Sequence, residues 1–277
     1  MKSRIAAAVL SLALGACASQ NTVSKLTLDQ AIASPDRNEG FKARDKYRHP
    51  KETMEFFGLK PDMTVVEVWP APGWYTEILA PYLRGRGKFI AAGFVTSWKG
   101  APQWRIDAMN EYRAMLAAKP KLYDQVQVTE VGKPDLWEAA PPGSADLVLT
   151  FRNVHNWVAA DYERDMFAAF YRALKAGGTL GVVEHRAAPG TSIDVTKKTG
   201  YVTEDYVISL AEGAGFKLVA KSEVNANPKD TKDYPEGVWT LPPTLKLGNE
   251  DRAKYVEIGE SDRMTLKFVK PASAPGS

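Results

Sequence analysis

Histidine is scarce in this chain, and two of its three histidines follow apolar segments in similar positions. His155 comes after the apolar segment 146–151, and His185 comes directly after the apolar segment 179–184. Imidazole is the side chain best suited to accept or release a proton near neutral pH. If the two segments are neighbouring strands, about 5 Å apart, both imidazoles face one pocket. The pattern predicts an acid–base site with His155 and His185 as catalytic candidates and His155 as the general base.

Two other interpretations of the histidine pair remain open. Glu184 is adjacent to His185, and two imidazoles with a carboxylate can bind a metal ion. Consecutive residues of a strand point to opposite faces of the sheet, which disfavours this site, so we predict no metal. Either histidine could instead be a hydrogen-bonded structural residue at the edge of the sheet.

A second candidate site lies in residues 64–80, whose pattern predicts a buried strand, a Pro/Gly turn and a helix. Val65, Val66 and Val68 form a β-branched run typical of a parallel strand that is covered on both faces. Gly73 lies in the turn, where glycine permits a positive φ or a close backbone approach. In open α/β sheets, ligands bind beyond the carboxyl ends of the strands, and the first such turn contributes backbone donors there.

Residues 67–77, Glu-Val-Trp-Pro-Ala-Pro-Gly-Trp-Tyr-Thr-Glu, resemble the first motif of class I S-adenosylmethionine-dependent methyltransferases. That motif is an acidic residue followed by a Gly-rich turn. The segment most resembles a bacterial subgroup of exported methyltransferase-like proteins with Trp-Pro in the turn. Here Trp69 and Ala71 replace the first two glycines, and Gly73 is retained. Residues 173–185 resemble the late helix-to-strand motif of the same family.

This resemblance spans residues 44–270 and implies a fold, a cofactor and a set of site residues. The implied fold is a doubly wound, Rossmann-like α/β domain whose seven-stranded sheet is mostly parallel with an antiparallel last strand. The implied cofactor is S-adenosylmethionine, with methyl transfer to a small-molecule acceptor. In this family an acidic residue near the end of the second strand binds the ribose, but residues 91–97 contain none. The residues expected at the cofactor are Glu67, Trp69, Pro70, Ala71, Gly73, Trp74, Phe94 and Asn153.

Several of these side chains have an expected role. The resemblance implies that Glu67 is a buried carboxylate hydrogen-bonded to backbone N–H groups of the turn. Trp69, Trp74 and Tyr75 could stack on an adenine or a sulfonium cation, although core packing is an equally good interpretation. Guanidinium groups suit an anionic substrate or the carboxylate of the cofactor. Three arginines are expected near the ligand edge: Arg152, Arg186 and Arg263.

Strand and helix patterns alternate along the chain without a repeat or an internal linker, which predicts one α/β domain. We assign this domain to residues 35–270, with residues 17–34 as a tether and N-terminal segment and residues 271–277 as a disordered tail. Residues 227–262 are rich in Pro and Asp and connect the last two strands. Such a connection must cross the ligand edge, so we expect a lid, with a packed surface loop as the alternative.

Two local expectations concern charged segments. The alternating charges of residues 35–48 predict a solvated surface helix. Asp161 is expected to cap a helix that Gly177 and Gly178 end, because aspartate caps helix N-termini and glycine favours their C-termini.

The first residues have the pattern of a bacterial lipoprotein signal. Lys2 and Arg4 precede an apolar stretch that is too short to be a stable membrane anchor. Residues 14–17, Leu-Gly-Ala-Cys, resemble a lipobox, in which the cysteine is acylated, and Cys17 is the only cysteine of the chain. We expect residues 1–16 to be a signal peptide and the protein to be periplasmic, anchored to a membrane by lipid on Cys17. The alternatives are an uncleaved signal anchor and a misassigned start codon.

Composition bounds the functional classes. A hydrophobic content of 44% and a charged content of 25% are ordinary for a globular protein. A net charge of +3 without a Lys/Arg run gives no sign of a nucleic-acid partner. The absence of a Gly-x-Ser-x-Gly motif disfavours a serine hydrolase. The leading hypothesis is an exported methyltransferase. Its rivals are a non-catalytic small-molecule-binding lipoprotein and an enzyme of another chemistry on the same scaffold.

Overall fold

Seven strands form one sheet in the computed structural model, which describes residues 25–272. Their order across the sheet is β3-β2-β1-β4-β5-β7-β6. β7 runs antiparallel to β5 and β6, whereas the other paired strands are parallel. This arrangement confirms the predicted doubly wound α/β fold with an antiparallel last strand. The strands are β1 (Thr64–Val68), β2 (Lys88–Gly93), β3 (Val126–Glu130), β4 (Ala145–Phe151), β5 (Leu174–His185), β6 (Lys217–Ser222) and β7 (Arg263–Val269).

Helices cover both faces of the sheet. Consecutive residues such as Val65 and Val66 of β1 point to opposite faces, and both are 0% exposed. No helix among residues 25–272 is long and apolar enough to cross a membrane. The helices are α1 (Leu28–Ile32), α2 (Glu39–Lys42), α3 (Asp45–Arg48), α4 (Pro50–Phe57), α5 (Thr76–Leu83), α6 (Gln103–Ala118), α7 (Pro120–Tyr123), α8 (Val154–Ala159), α9 (Glu163–Ala173), α10 (Ile193–Thr199), α11 (Glu204–Gly213) and α12 (Arg252–Ile258).

The predicted N-terminal features fall largely outside this description. The signal peptide of residues 1–16 and the acylated Cys17 lie outside the described residues, as do residues 273–277 of the predicted tail. Within the predicted tether and N-terminal segment, residues 28–32 form α1. Thr27 caps this helix by accepting a hydrogen bond from the backbone N–H of Gln30.

The charged segment 35–48 is not one solvated helix. It forms α2 and α3, and it buries two arginines, Arg37 at 3% and Arg48 at 2% exposure. Arg37 pairs with Asp45 at 2.7 Å, and the Arg48 guanidinium lies 4.6 Å from the centroid of the Trp74 ring. The expectation was wrong because buried arginines with partners give the same charge pattern as a solvated face.

The helix before β5 also differs from the expectation. Asp161 has a φ of 55° and lies outside α9, whose N-terminal cap position is Tyr162. The helix ends at Ala173, and the chain enters β5 before Gly177 is reached. The glycine pair therefore lies within the strand and does not end the helix.

The connection between β6 and β7 is more ordered than its composition indicated. It contains a 3₁₀ turn, Gly237–Thr240, and the helix α12. Tyr234, Leu241 and Tyr255 form a small apolar cluster inside the connection. This local core holds the segment in place as it crosses the carboxyl edge of the sheet.

Candidate functional site

A cavity of about 370 Å³ lies at the carboxyl ends of β1, β4 and β5. The turn after β1 lines it with Trp69, Pro70, Ala71 and Trp74, and Glu67 lines it from β1 itself. All five belong to the residues that the sequence predicted at the cofactor.

Much of the remaining wall comes from β4, β5 and the β6–β7 connection. Asn153 and His155 follow β4, His185 ends β5, and Trp239 reaches the cavity from the 3₁₀ turn. The side chain of Asn153 donates hydrogen bonds to the backbone oxygen of Val68, at 3.0 Å, and to a side chain of β4. This amide joins the ends of β1 and β4 and thereby fixes two walls of the cavity relative to each other.

His155 is held by a buried carboxylate. Its Nδ1 lies 3.0 Å from Oε1 of Glu184, which is 0% exposed. The same carboxylate accepts the backbone N–H groups of Val154 at 2.6 Å, of His155 at 3.3 Å and of His185 at 2.7 Å. Because three backbone N–H groups already donate to the Glu184 carboxylate, it also acts as the acceptor toward His155. Nδ1 of His155 therefore carries the proton of this hydrogen bond, and Nε2 is the basic nitrogen. This is the arrangement by which a carboxylate orients a catalytic imidazole.

His185 is close to His155 but is held differently. The two ring centroids are 5.2 Å apart, and Nδ1 of His185 lies 2.5 Å from Oγ of Ser261. Burial, followed by the electrostatic influence of the neighbouring His155 and of Arg263, lowers the pKa of His185 well below its ordinary value. His185 is therefore neutral at physiological pH and suits hydrogen bonding better than proton uptake.

The expectation that Glu184 and His185 point to opposite faces of the sheet, and so cannot share a metal ion, was wrong. The carboxylate oxygens of Glu184 nevertheless already accept hydrogen bonds from the protein. Ligand atoms of His155, Glu184 and His185 all lie within 4.8 Å of one another. They meet because the Glu184 carboxylate folds back to the N–H of its own neighbour, His185. Each of its two oxygens already accepts two hydrogen bonds, so a cation there would have to displace donors that orient His155.

Glu67 is buried as expected, but its hydrogen-bond partner differs from the expectation. It is 3% exposed and accepts a hydrogen bond from Oγ1 of Thr76 at 2.8 Å, and that hydroxyl also lies 3.0 Å from the Tyr112 hydroxyl. The turn offers it few backbone donors, because Pro70 and Pro72 have no N–H. Burial raises the pKa of Glu67 to about 8, so the carboxyl group is mainly protonated at neutral pH.

Trp69 closes one side of the cavity. Its φ is 52°, a conformation that glycine adopts more readily and that fits the glycine of the general motif at this position. Its backbone N–H donates to Ala92 of β2 at 2.8 Å, and its indole Nε1 donates to the backbone oxygen of Val131 at 3.1 Å. The indole packs 4.6 Å from the Phe94 ring. Trp69 therefore covers the ends of β2 and β3.

Two predicted cofactor residues, Gly73 and Phe94, do not line the cavity. Gly73 has a φ of 107°, and a Cβ atom on it would meet the methyl group of Met115 at 2.4 Å. Its open side therefore faces α6, and the glycine is needed for the turn and for close packing. Phe94 lies between Trp69 and Trp104, with ring centroids 4.6 Å and 5.2 Å away.

Arginines form a further part of the cavity wall. Arg186 does not belong to it, because Arg186 pairs with Glu223 at 2.7 Å and with Asp262 at 2.9 Å outside the cavity. The sequence analysis missed Arg44, Arg48 and Glu260. The spacing of the first two, four residues apart, is a signal that they share one side of the chain. The charged residues of this wall are Arg44, Arg48, Arg152, Arg263 and Glu260.

Residues of the predicted lid lie over the cavity. The Trp239 ring centroid is 6.0 Å from that of His155, and Pro242 and Pro243 also line the cavity. Leu241, another residue expected there, is 0% exposed and packs in the apolar cluster of the connection. Closure of this segment on a ligand stays a prediction.

Many solved structures share this architecture, and no family profile matches the chain. An S-adenosylmethionine-dependent methyltransferase from Aquifex aeolicus is 15% identical, with a TM-score of 0.55, over 89% of this chain and 100% of that chain. The [4+2]-cyclase SpnF is 17% identical, with a TM-score of 0.53, over 82% of this chain and 81% of that chain. An arsenic(III) S-adenosylmethionine methyltransferase from Chlamydomonas reinhardtii is 12% identical, with a TM-score of 0.50, over 90% and 74%.

One curated relative matches a local part of the chain. It is the ribosomal RNA large subunit methyltransferase E of Dichelobacter nodosus, which is 40% identical over 55 residues. The match covers 20% of this chain and 26% of that protein. The chain thus spans about a quarter of the length of this relative.

Proposed function

We propose that this chain, which has the class I S-adenosylmethionine-dependent methyltransferase fold, is a methyltransferase that uses S-adenosylmethionine and acts on a small molecule. The structural neighbours and the local match to a curated methyltransferase support the enzyme class and the cofactor. The observation that carries the proposal is the Glu184–His155 pair, which presents an oriented basic nitrogen to a cavity at the carboxyl edge of the sheet.

The lining of the cavity suits part of this cofactor. Aromatic side chains, Phe151 and Trp239 among them, attract a sulfonium cation. The resemblance places the ribose near the end of β2, where Trp69 and Phe94 fill the edge. The nucleoside of the cofactor can bind near the end of β2 only if the indole of Trp69 moves. When bound, S-adenosylmethionine supplies an electrophilic methyl group.

Within this proposal the residues of the chain position the acceptor and accept its proton. Nε2 of His155 would accept the proton that the acceptor heteroatom releases. Glu184 stabilises the resulting imidazolium through Nδ1–H. Trp239 and the neighbouring prolines line the cavity, so they would exclude water from a bound acceptor. Most of the rate enhancement then comes from holding the two reactants in line.

Calorimetric titration of the purified chain with S-adenosylmethionine and with S-adenosylhomocysteine tests the proposal. We expect saturable binding of both and, with a pool of small-molecule acceptors, transfer of a labelled methyl group. If neither S-adenosylmethionine nor S-adenosylhomocysteine bound to the chain, the proposed function would be contradicted.

A second candidate function is an enzyme of other chemistry, or a binding protein, on the same scaffold. The observation that favours it is the position of Trp69 over the ends of β2 and β3. A cyclase among the structural neighbours is a reminder that fold and reaction are separable. Both versions predict that neither cofactor form binds. The enzyme version also predicts that the His155–Glu184 pair matters for activity.

We also propose that the protein is exported and anchored by lipid on Cys17, as the lipobox-like sequence indicates. Expression in a bacterium followed by fractionation tests this. We expect a membrane-bound product with a lipid mass on Cys17, and Cys17→Ala should lose that mass. A cytosolic product that retains Met1 would contradict export.

A further inference from the structure

Several arginines converge on one carboxylate in the wall of the cavity. Glu260 is 2% exposed, and Arg44 donates to it through Nε at 2.5 Å. Nε of Arg48 lies 3.4 Å from the other oxygen, which also accepts a hydrogen bond from Arg263. These guanidinium groups hold the pKa of Glu260 well below its ordinary value despite burial. Glu260 is therefore ionised, and it is shared by three cations.

The donors of this arginine cluster, defined as Arg44, Arg48, Arg152 and Arg263, are incompletely used. Arg48 is 2% exposed, yet its Nη1 has no hydrogen-bond partner within residues 25–272. Nη2 of Arg44 is buried and equally unpartnered in that range. The side chain of Arg152 makes no hydrogen bond or ion pair with any described residue. Buried charged donors without partners are rare in folded proteins, because each carries a desolvation cost.

The charges of the cluster do not balance. Glu67 also lines the cavity, but with a pKa of about 8 it is mainly neutral at pH 7, and His185 is neutral as well. Four guanidinium groups against the single carboxylate of Glu260 leave three positive charges in one partly buried wall. Burial and the nearby charge of Arg263 lower the pKa of Arg152 to about 10. The cluster therefore lacks a counter-charge, which residues 25–272 do not supply.

We propose that this cavity binds a small molecule through a phosphoryl group, held by the arginine cluster with Arg48 and Arg152 as its main donors. A planar guanidinium offers parallel N–H donors that match the oxygens of a phosphate. A dianionic phosphoryl group neutralises more of the excess than a single carboxylate does. Under the proposed function the phosphorylated molecule is the methyl acceptor. That assignment rests on the proposed function, whereas the anion site does not.

The placement of the cluster connects the anion to the catalytic pair. Arg152 comes three residues before His155, and both follow β4 and line the same cavity. Arg152 has a φ of 61°, an uncommon conformation for a non-glycine residue that the surrounding structure must hold. A molecule anchored at Arg152 by its phosphoryl group would place its remaining atoms in the cavity that His155 faces.

Titration of the full chain with inorganic phosphate and with acetate, at equal ionic strength, tests the proposal by calorimetry and thermal shift. We expect phosphate to bind and to raise the melting temperature, and acetate to bind at least tenfold more weakly. Arg152→Gln should weaken phosphate about 10- to 100-fold, since a charged hydrogen-bonding group is lost. Arg152→Lys keeps the charge but loses the planar guanidinium, so its phosphate affinity should lie between those of wild type and Arg152→Gln.

Arg113→Gln is the matched control, because it removes the same charge from an exposed position on α6 outside the cavity. It should leave phosphate affinity unchanged. Because the side chain of Arg152 forms no hydrogen bond or ion pair within residues 25–272, its variants should fold. Circular dichroism spectra of the variants check this. Equal affinity of wild type and Arg152→Gln, or equal affinity for acetate and phosphate, would overturn the proposal.

A competition with S-adenosylhomocysteine separates this inference from the proposed function. We expect phosphate and S-adenosylhomocysteine to bind together. One-for-one displacement would mean that the cluster holds the carboxylate of the cofactor, and this would overturn the phosphoryl assignment. Phosphate binding that depends on Arg152, without any binding of S-adenosylhomocysteine, would support the anion site and contradict the methyltransferase.

Discussion

The two halves of the carboxyl edge of the sheet are built in opposite ways. The half at β1, β4 and β5 is an open cavity lined by two imidazoles, an arginine cluster and carboxyl groups. The half at β2 and β3 is filled by aromatic rings, with the indole of Trp69 packed on Phe94 and on Trp157 at 5.6 Å. Arg105 lies over this aromatic group, 5.3 Å from the Trp69 ring.

This difference indicates where chemistry is possible on the scaffold. The cleft of an open α/β sheet extends across the carboxyl ends of the strands, and a nucleotide-sized ligand uses both sides of it. In this chain one side is occupied by side chains of the protein. The proton transfer and the anion recognition that we propose therefore both lie on the β4–β5 side, whereas the β2–β3 side contributes packing.

The largest expected effect tests the open half. His155→Asn removes the basic nitrogen while its amide can still donate to Glu184, so the fold should be kept. If His155 is the general base, turnover should fall by roughly 10²- to 10⁴-fold with little change in ligand affinity. Steady-state kinetics and calorimetry on the same preparation measure the two quantities.

His49→Asn is the matched control for that variant. His49 is the remaining histidine of the chain, lies outside the cavity and has a φ of 40°, which asparagine tolerates. It should leave turnover unchanged. A decrease in His155→Asn of less than about threefold, far below the general-base effect, would mean that positioning alone accounts for the reaction.

A smaller effect concerns the cost of burying an acid in the open half. The pKa of Glu67 is about 8 in the folded chain against an ordinary 4.5, so between these values the folded chain binds more protons than the unfolded chain. The free energy of unfolding therefore falls as pH rises from about 4.5 and levels off above pH 8. The expected loss between pH 5 and pH 8 is about 3 kcal/mol.

Glu67→Gln should remove this pH dependence, because the amide oxygen still accepts the hydrogen bond from Thr76 but does not titrate. Urea denaturation at pH 5, 6.5 and 8 measures the change. Trp69→Phe, on the filled half, should keep the wild-type slope. Parallel stability curves for wild type and Glu67→Gln would show that Glu67 ionises normally in the folded chain.

Most of the strands could be predicted from the sequence because they are short segments rich in apolar residues and are bounded by turn signals. The same reasoning placed His155, His185 and Asn153 at one edge, since residues that follow neighbouring parallel strands must meet there. It also identified the position of Trp69, because the glycine pattern of the motif marks that turn.

The arginine cluster could not be predicted in the same way. Arg44 and Arg48 belong to a charged segment that precedes β1, and Glu260 lies more than 200 residues later in the chain. Nothing local indicates that they meet. The orienting role of Glu184 was missed for a different reason: strand alternation describes Cβ directions, whereas a long side chain can fold back to a backbone N–H.

The last prediction tests the filled half directly. Trp69→Gly removes the indole from the ends of β2 and β3 and supplies the residue best suited to a φ of 52°. If the indole occupies the place of the nucleoside, the wild type must displace it before binding, and the variant is spared that cost. The affinity for S-adenosylhomocysteine should then rise about tenfold, which corresponds to about 1.4 kcal/mol. Calorimetry well below the melting temperature of the variant measures this, because the lost packing also lowers stability.

Trp104→Ala, which truncates an exposed ring beside the same aromatic group, should leave the affinity unchanged. An unchanged affinity in Trp69→Gly would mean that S-adenosylhomocysteine does not contact the β2–β3 side. The whole ligand would then have to bind in the open half.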